Sequence, residues 1–113
     1  MSRDPVHRLE DILEAGRMIE TYIAGFDYES FMEDRRTVDA VVRNLEIIGE
    51  AVKHLPEEIT ARFPEIPWKA IAGFRDILAH CYFRTEDAIV WDAAKNHTPS
   101  LVAVVKTLLP HDA

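Results

Sequence analysis

The sequence predicts an all-α fold, an up-down bundle of four or five helices. Apolar residues recur at three- and four-residue intervals through two long runs, the signature of helices with one buried stripe. No stretch alternates apolar and polar residues as a half-buried strand does. Prolines and capping residues fall at the ends of the apolar runs rather than inside them. The chain has 113 residues, 48% of them apolar and 29% charged, the balance of a single globular domain. With no internal repeat and no linker-like stretch, residues 1–113 are expected to form that one domain.

Asp4-Pro5 opens the first helix, with an acid at the cap and proline at the first helical position. Val6, Leu9, Ile12, Leu13, Ile19, Tyr22 and Ile23 form its stripe, and Gly25 stops it. A second start lies at Asp27 to Ser30. Phe31, Val38, Val41, Val42, Leu45, Ile48, Val52 and Leu55 then mark one long helix ending at Pro56. Two such helices joined by a short turn pack antiparallel. Glu57–Phe63 fits a short helix with acids in its first turn. Pro67 opens another, Trp68 to about His80, whose apolar face is Ile71, Phe74, Ile77 and Leu78. Thr85-Glu86-Asp87 reads as a cap. The last helical region runs to Leu109, with a break or kink near Asn96–Pro99.

Several classes of protein are disfavoured. Thirteen bases against twenty acids leave a net charge of −7, which argues against nucleic-acid binding by bulk electrostatics. The charge is uneven: residues 1–50 hold six bases and twelve acids, residues 51–113 seven bases and eight acids. An anionic ligand should therefore prefer the second half. The longest uncharged apolar stretch, around Leu101–Val105, is far short of the ~18 residues of a membrane span. The charged opening Met1-Ser2-Arg3-Asp4-Pro5 does not resemble a signal peptide. A single cysteine, Cys81, excludes an intramolecular disulfide framework and a cysteine-built zinc site. A soluble, cytoplasmic domain is expected.

The densest cluster of reactive side chains is Arg75-Asp76-Ile77-Leu78-Ala79-His80-Cys81-Tyr82. Arginine offers a charged fork for phosphate and histidine moves protons near neutral pH. Together they suit RNA cleavage by the ribose 2′-hydroxyl, His80 handling a proton and Arg75 stabilising the phosphorane-like charge, with no metal. Positions five apart lie about 140° apart on a regular helix. Arg75 and His80 therefore converge only if the helix ends before His80 or if two subunits pool their residues. The plain alternative has Arg75 and Asp76 in surface ion pairs and His80 at a helix C-terminus. Tyr82 and Phe83 would then simply pack against the next helix. Other sites fit less well. Glu50 with His54, and His7 with Asp11, stand at i,i+4, but two Glu-x-x-His copies of a di-iron bundle are lacking. No cofactor is expected, since the chain has no glycine-rich phosphate loop. Gly49 inside a helix suggests close helix approach. Glu46 and Glu50 share a helix face; with Arg43 and Asn44 they read as a solvated or dimer-facing polar stripe, or as the rim of a cleft, and not as catalytic groups. Trp68 and Trp91 read as core or interface anchors.

Arg75-x4-His80-x-Tyr82 resembles the signature of HepT-like toxins in the HEPN ribonuclease superfamily. Arg43-Asn44-Leu45-Glu46-Ile47-Ile48-Gly49-Glu50-Ala51 resembles that family's second-helix motif. Pro67-Trp68 with Ile71-Ala72-Gly73-Phe74-Arg75-Asp76, and Ala88-Ile89-Val90-Trp91, resemble the segments flanking its site. The resemblance covers nearly the whole chain. It implies a HEPN-like, dimerising bundle with Arg75 and His80 as the catalytic pair and Asp76 as the polar residue that follows the arginine. It implies that Tyr82 is the tyrosine to which a minimal nucleotidyltransferase antitoxin attaches AMP, adding bulk and negative charge near the site. It implies a homodimer whose two motifs line one composite cleft, acting on tRNA or mRNA as the toxin of a type VII toxin–antitoxin system. The rival reading is a non-catalytic helical subunit that binds or scaffolds within a two-component nucleotidyltransferase, which the acidity of the first two helices favours.

Overall fold

The computed structural model describes residues 4–80 and 87–109, with only the backbone for residues 79 and 80. The chain runs through α1 (Pro5–Ile23), α2 (Tyr28–Glu33), α3 (Arg35–Lys53), α4 (Glu57–Thr60), α5 (Trp68–His80), α6 (Asp87–Asp92), a π-helical turn (Ala93–His97) and α7 (Thr98–Leu108). Among the described residues there is no strand, and the all-α bundle stands. Because α6, the π turn and α7 are continuous, the long rods number four, with α2 and α4 as short additions.

The first helix begins and ends as its sequence predicts. The Asp4 carboxylate accepts the Val6 N–H at 2.8 Å, and Gly25 takes φ +82°, a left-handed turn that glycine adopts at little cost. The expected single helix from Phe31 to Leu55 is instead two. Asp34 leaves helical geometry at φ −97°, ψ 86°. Its carboxylate accepts the Thr37 N–H at 3.1 Å, so it caps α3, while its own N–H reaches back to Ser30 and Phe31. An acid beside helix-compatible neighbours is satisfied better as a cap than in a helix interior. The helix expected over Glu57–Phe63 stops at Thr60. The following residues make tighter turns, and the Trp68 indole N–H donates to the Phe63 carbonyl at 2.9 Å.

The break expected near Asn96–Pro99 takes the form of a π turn. Pro99 has no N–H to donate into the preceding turn, and the Thr98 N–H and Oγ1 both bond to the Ala93 carbonyl. Of the Thr85-Glu86-Asp87 cap, the first two residues lie outside the described residues. Asp87 is the first residue of α6 and only 1% exposed, its carboxylate 2.6 Å from the Arg35 guanidinium.

The core is continuous, with Leu9, Ile12, Ile19, Phe31, Val38, Val41, Val90 and Val105 fully buried. α1 packs on α3 and on α7, and α5 packs on α3. Arg8 and Asp11, early in α1, share a cleft with Glu46 to Ala51, late in α3; the two helices are therefore antiparallel, as expected. Trp91 anchors α6 to α2, its ring 5.0 Å from Phe31 and 6.5 Å from Tyr28. One expected core face is only partly buried. Of the α5 residues Ile71, Phe74, Ile77 and Leu78, only Leu78 is buried, and Ile77 is 48% exposed. α5 meets α3 through the side carrying Ile71 and Arg75, which turns Ile77 outward.

Candidate active site

Arg75 sits where α3 and α5 come closest. A Cβ placed on Gly49 would lie 2.5 Å from the Arg75 Cβ and 3.1 Å from the Ile71 carbonyl oxygen. Only a residue without a side chain lets the two backbones approach this far. The close approach that Gly49 suggested is thus real, and it is made against Arg75 itself.

The Arg75 guanidinium is gripped from two sides. Its Nε lies 3.6 Å from the Glu50 carboxylate on α3, and its Nη1 donates to Asp76 Oδ1 at 3.1 Å. Glu50 is also 3.1 Å from His54 Nε2, one turn further along. His54, Glu50, Arg75 and Asp76 therefore form one chain of polar contacts across two helices. Asp76 reaches this chain although it stands about 100° around the helix from Arg75.

Beside Arg75 lies a cleft of about 270 Å³ lined by Arg8, Asp11, Arg43, Glu46, Ile47, Glu50, Ala51 and Arg75. Three helices contribute to it. Three arginines and three carboxylates line it, so the cleft is polar and balanced in charge. Arg8 Nε is buried there, with no hydrogen-bond partner among the described residues. Glu46 and Glu50 do share the cleft face. Arg8 is a contributor that sequence reasoning missed, and Asp11 one that it weighed only as a partner of His7. Their only signal is their position one helical turn apart, flanking the buried Leu9 and Ile12.

Arg75 and Asp76 are brought together. His80 is the last residue of α5, and because the helix is unbroken to that point, its backbone position lies about 140° around the axis from Arg75. Tyr82 and Cys81 lie outside the described residues. Among the described residues no group of three or more His, Cys, Asp or Glu is placed to hold a metal ion. Glu50 and His54, which stand at metal-ligand spacing, pair with each other. No described helix is long and apolar enough to cross a membrane.

On the other side of α5 runs an apolar groove of about 720 Å³, open between α5 and the α6–α7 rod. Phe74, Ile77, Ala70, Ile89, Ala93 and Leu101 are among its lining residues. Ile77 and Ile89 are 48% and 56% exposed.

The sequence profile of a family described as "Ribonuclease HepT-like" matches residues 12–108. A protein of Thermococcus cleftensis named "Probable ribonuclease HepT" is 43% identical over 101 residues, covering 89% of this chain and 92% of that one. A protein of Caldanaerobacter subterraneus subsp. tengcongensis, provisionally named an RNase, is 40% identical over 107 residues, covering 95% and 96% of the two chains. No solved structure gives a significant match.

Proposed function

The chain belongs to the ribonuclease HepT-like family, and on that premise we propose that it is the toxin of a type VII toxin–antitoxin system, a metal-independent endoribonuclease acting through Arg75 and His80. Family membership supports an RNase of the HEPN type and an RNA substrate. The observation that carries the site is the seating of Arg75: an exposed surface arginine needs no glycine opposite its Cβ and no carboxylates on two of its nitrogens.

The chemistry follows from these groups. The ribose 2′-oxygen attacks the adjacent phosphorus and the bond to the 5′-oxygen breaks, leaving a 2′,3′-cyclic phosphate and a 5′-hydroxyl. His80 takes the 2′-hydroxyl proton or delivers one to the departing 5′-oxygen. Arg75 neutralises the charge that builds on the non-bridging oxygens, and Asp76 orients the guanidinium. The helical register holds Arg75 and His80 of one chain on different sides of α5, so the working pair is drawn from two subunits. The subunit contact must then bring the partner's histidine to the side of α5 that carries Arg75, about 160° around the helix from Ile77 and the apolar groove. The Tyr82 phenol, two residues beyond His80, is the acceptor for AMP from a minimal nucleotidyltransferase antitoxin. The added phosphate would compete for Arg75 and block the cleft. The protein acts in the cytoplasm, on tRNA or mRNA.

Expression of the chain alone, beside a His80→Ala control, tests this reading. Growth arrest with RNA fragments ending in cyclic phosphate, from the wild-type chain only, is the expected result. Intact RNA from a folded wild-type protein would overturn it in favour of the binding-subunit reading.

A further inference from the structure

Glu50 belongs to the second-helix motif, and the reaction above assigns it nothing. We infer that Glu50 is a positioning residue for Arg75, setting the direction in which the guanidinium meets the scissile phosphate. The inference rests on the ribonuclease reading of Arg75.

Four observations carry it. The Glu50 carboxylate lies 3.6 Å from Arg75 Nε, whereas Asp76 engages Nη1. Two carboxylates on two different nitrogens fix both the position and the plane of a guanidinium, which one contact would leave free to rotate. Glu50 is itself restrained, because His54 Nε2 holds its other oxygen at 3.1 Å. The neighbouring Gly49 brings the Arg75 backbone against α3, so Glu50 faces an arginine whose base is already fixed. Finally, Glu50 and Arg75 line the same cleft, so the contact sits at the place where an RNA backbone would enter.

An ion pair this exposed contributes little to folding. Arg75 is 36% exposed and Glu50 41%, and pairs of that kind are screened by water. Its role should therefore register in the reaction and hardly at all in melting. Orientation of a charged group toward the transition state acts on kcat, while substrate affinity spread over many contacts is little affected.

The test compares wild type with Glu50→Ala, Glu50→Gln, Arg75→Ala and the Glu50→Ala/Arg75→Ala double variant on a short RNA. The Arg75 side-chain Nε–H resonance is followed in parallel by 15N NMR, assigned with Arg75→Lys. Glu50→Ala should lower kcat about tenfold with KM within about twofold. Its melting temperature should stay within about 4 °C of wild type. Glu50→Gln keeps the shape but loses the charge that attracts Nε across 3.6 Å, and should recover only part of the rate. In the Arg75→Ala background, the loss of Glu50 should cost nothing further, since there is nothing left to position. The Arg75 Nε–H signal should move and exchange faster with water in Glu50→Ala. A wild-type kcat in Glu50→Ala, or a loss of equal size in the Arg75→Ala background, overturns the inference and leaves the ribonuclease standing. If wild type does not cut RNA, the ribonuclease reading fails; an Arg75 Nε–H signal unchanged by Glu50→Ala then overturns the positioning contact as well.

Discussion

Gly49 shows how a single absent side chain sets the geometry of a charged one. Alanine there would gain up to about 1 kcal/mol of helix propensity. Its Cβ would also enter the space of the Arg75 Cβ and the Ile71 carbonyl, an overpacking that costs about 1–3 kcal/mol. Gly49→Ala should therefore lose about 1 kcal/mol net in urea unfolding. Its kcat should fall by about tenfold or more, because the atoms displaced belong to Arg75. Gly16 supplies the control. A Cβ on it would meet Val102 Cγ2, at the contact of α1 with α7 and about 7.5 Å along α1 from Asp11, the nearer of its two cleft residues. Gly16→Ala should cost comparable stability and leave kcat near wild type. Equal loss of activity in the two variants would mean that Arg75 responds to general loosening and not to the atom opposite it.

Among the elements, α6 is held to the bundle by a charged contact that the apolar pattern does not contain. Arg35, at the start of α3, reaches the nearly inaccessible carboxylate of Asp87, at the start of α6. Removing that carboxylate takes the charged partner from a guanidinium that still donates to the Met32 carbonyl at 3.2 Å and is one-third exposed, which moderates the loss. Asp87→Ala should cost about 2–3 kcal/mol in chemical denaturation. A loss below about 0.5 kcal/mol would show that the pair is screened like a surface one. The α2 capping box behaves differently. The Ser30 N–H donates to the Asp27 carboxylate and holds its pKa below the ordinary value. A carboxylate whose pKa is lower in the folded state stabilises it fully at neutral pH and loses that effect as pH falls through the folded value. Asp27→Asn should thus melt below wild type at pH 7, with the gap closing below about pH 4. A gap independent of pH would refute this. These two cases also mark what the sequence makes legible. Caps such as Asp4 and the Asp27–Ser30 box are local, and their signals lie within a few residues. The contacts of Arg35 with Asp87 and of Gly49 with Arg75 join residues 52 and 26 positions apart, and no spacing rule encodes them. The break at Asp34 was hidden for another reason: its flanks keep the apolar period, so only the preference of an acid for a cap spoke against a continuous helix. Within the candidate site, Arg75, Asp76 and His80 stand out by residue type. Arg8 and Asp11 come from the far end of the chain and only the packing of α1 on α3 brings them in.

For the molecule as a whole, the decisive feature is that α5 stays regular through His80. Regularity fixes the angle between Arg75 and His80 at about 140°, and Glu50 holds the arginine toward α3. A single chain thus offers its arginine on one side and its histidine position on another. The apolar groove beside Ile77 and Ile89 opens on the side of α5 away from Arg75, so a contact that pools the two groups has to be made on the arginine side. If the working pair is shared, two inactive variants should complement each other. Arg75→Ala and His80→Ala chains, carrying different tags and purified as the mixed dimer, retain one arginine and one histidine on opposite subunits. That mixed dimer should cut RNA faster than either parent variant. A mixed dimer as inactive as its parents would assign each active site to a single chain, and α5 would then have to unwind before His80 when RNA binds.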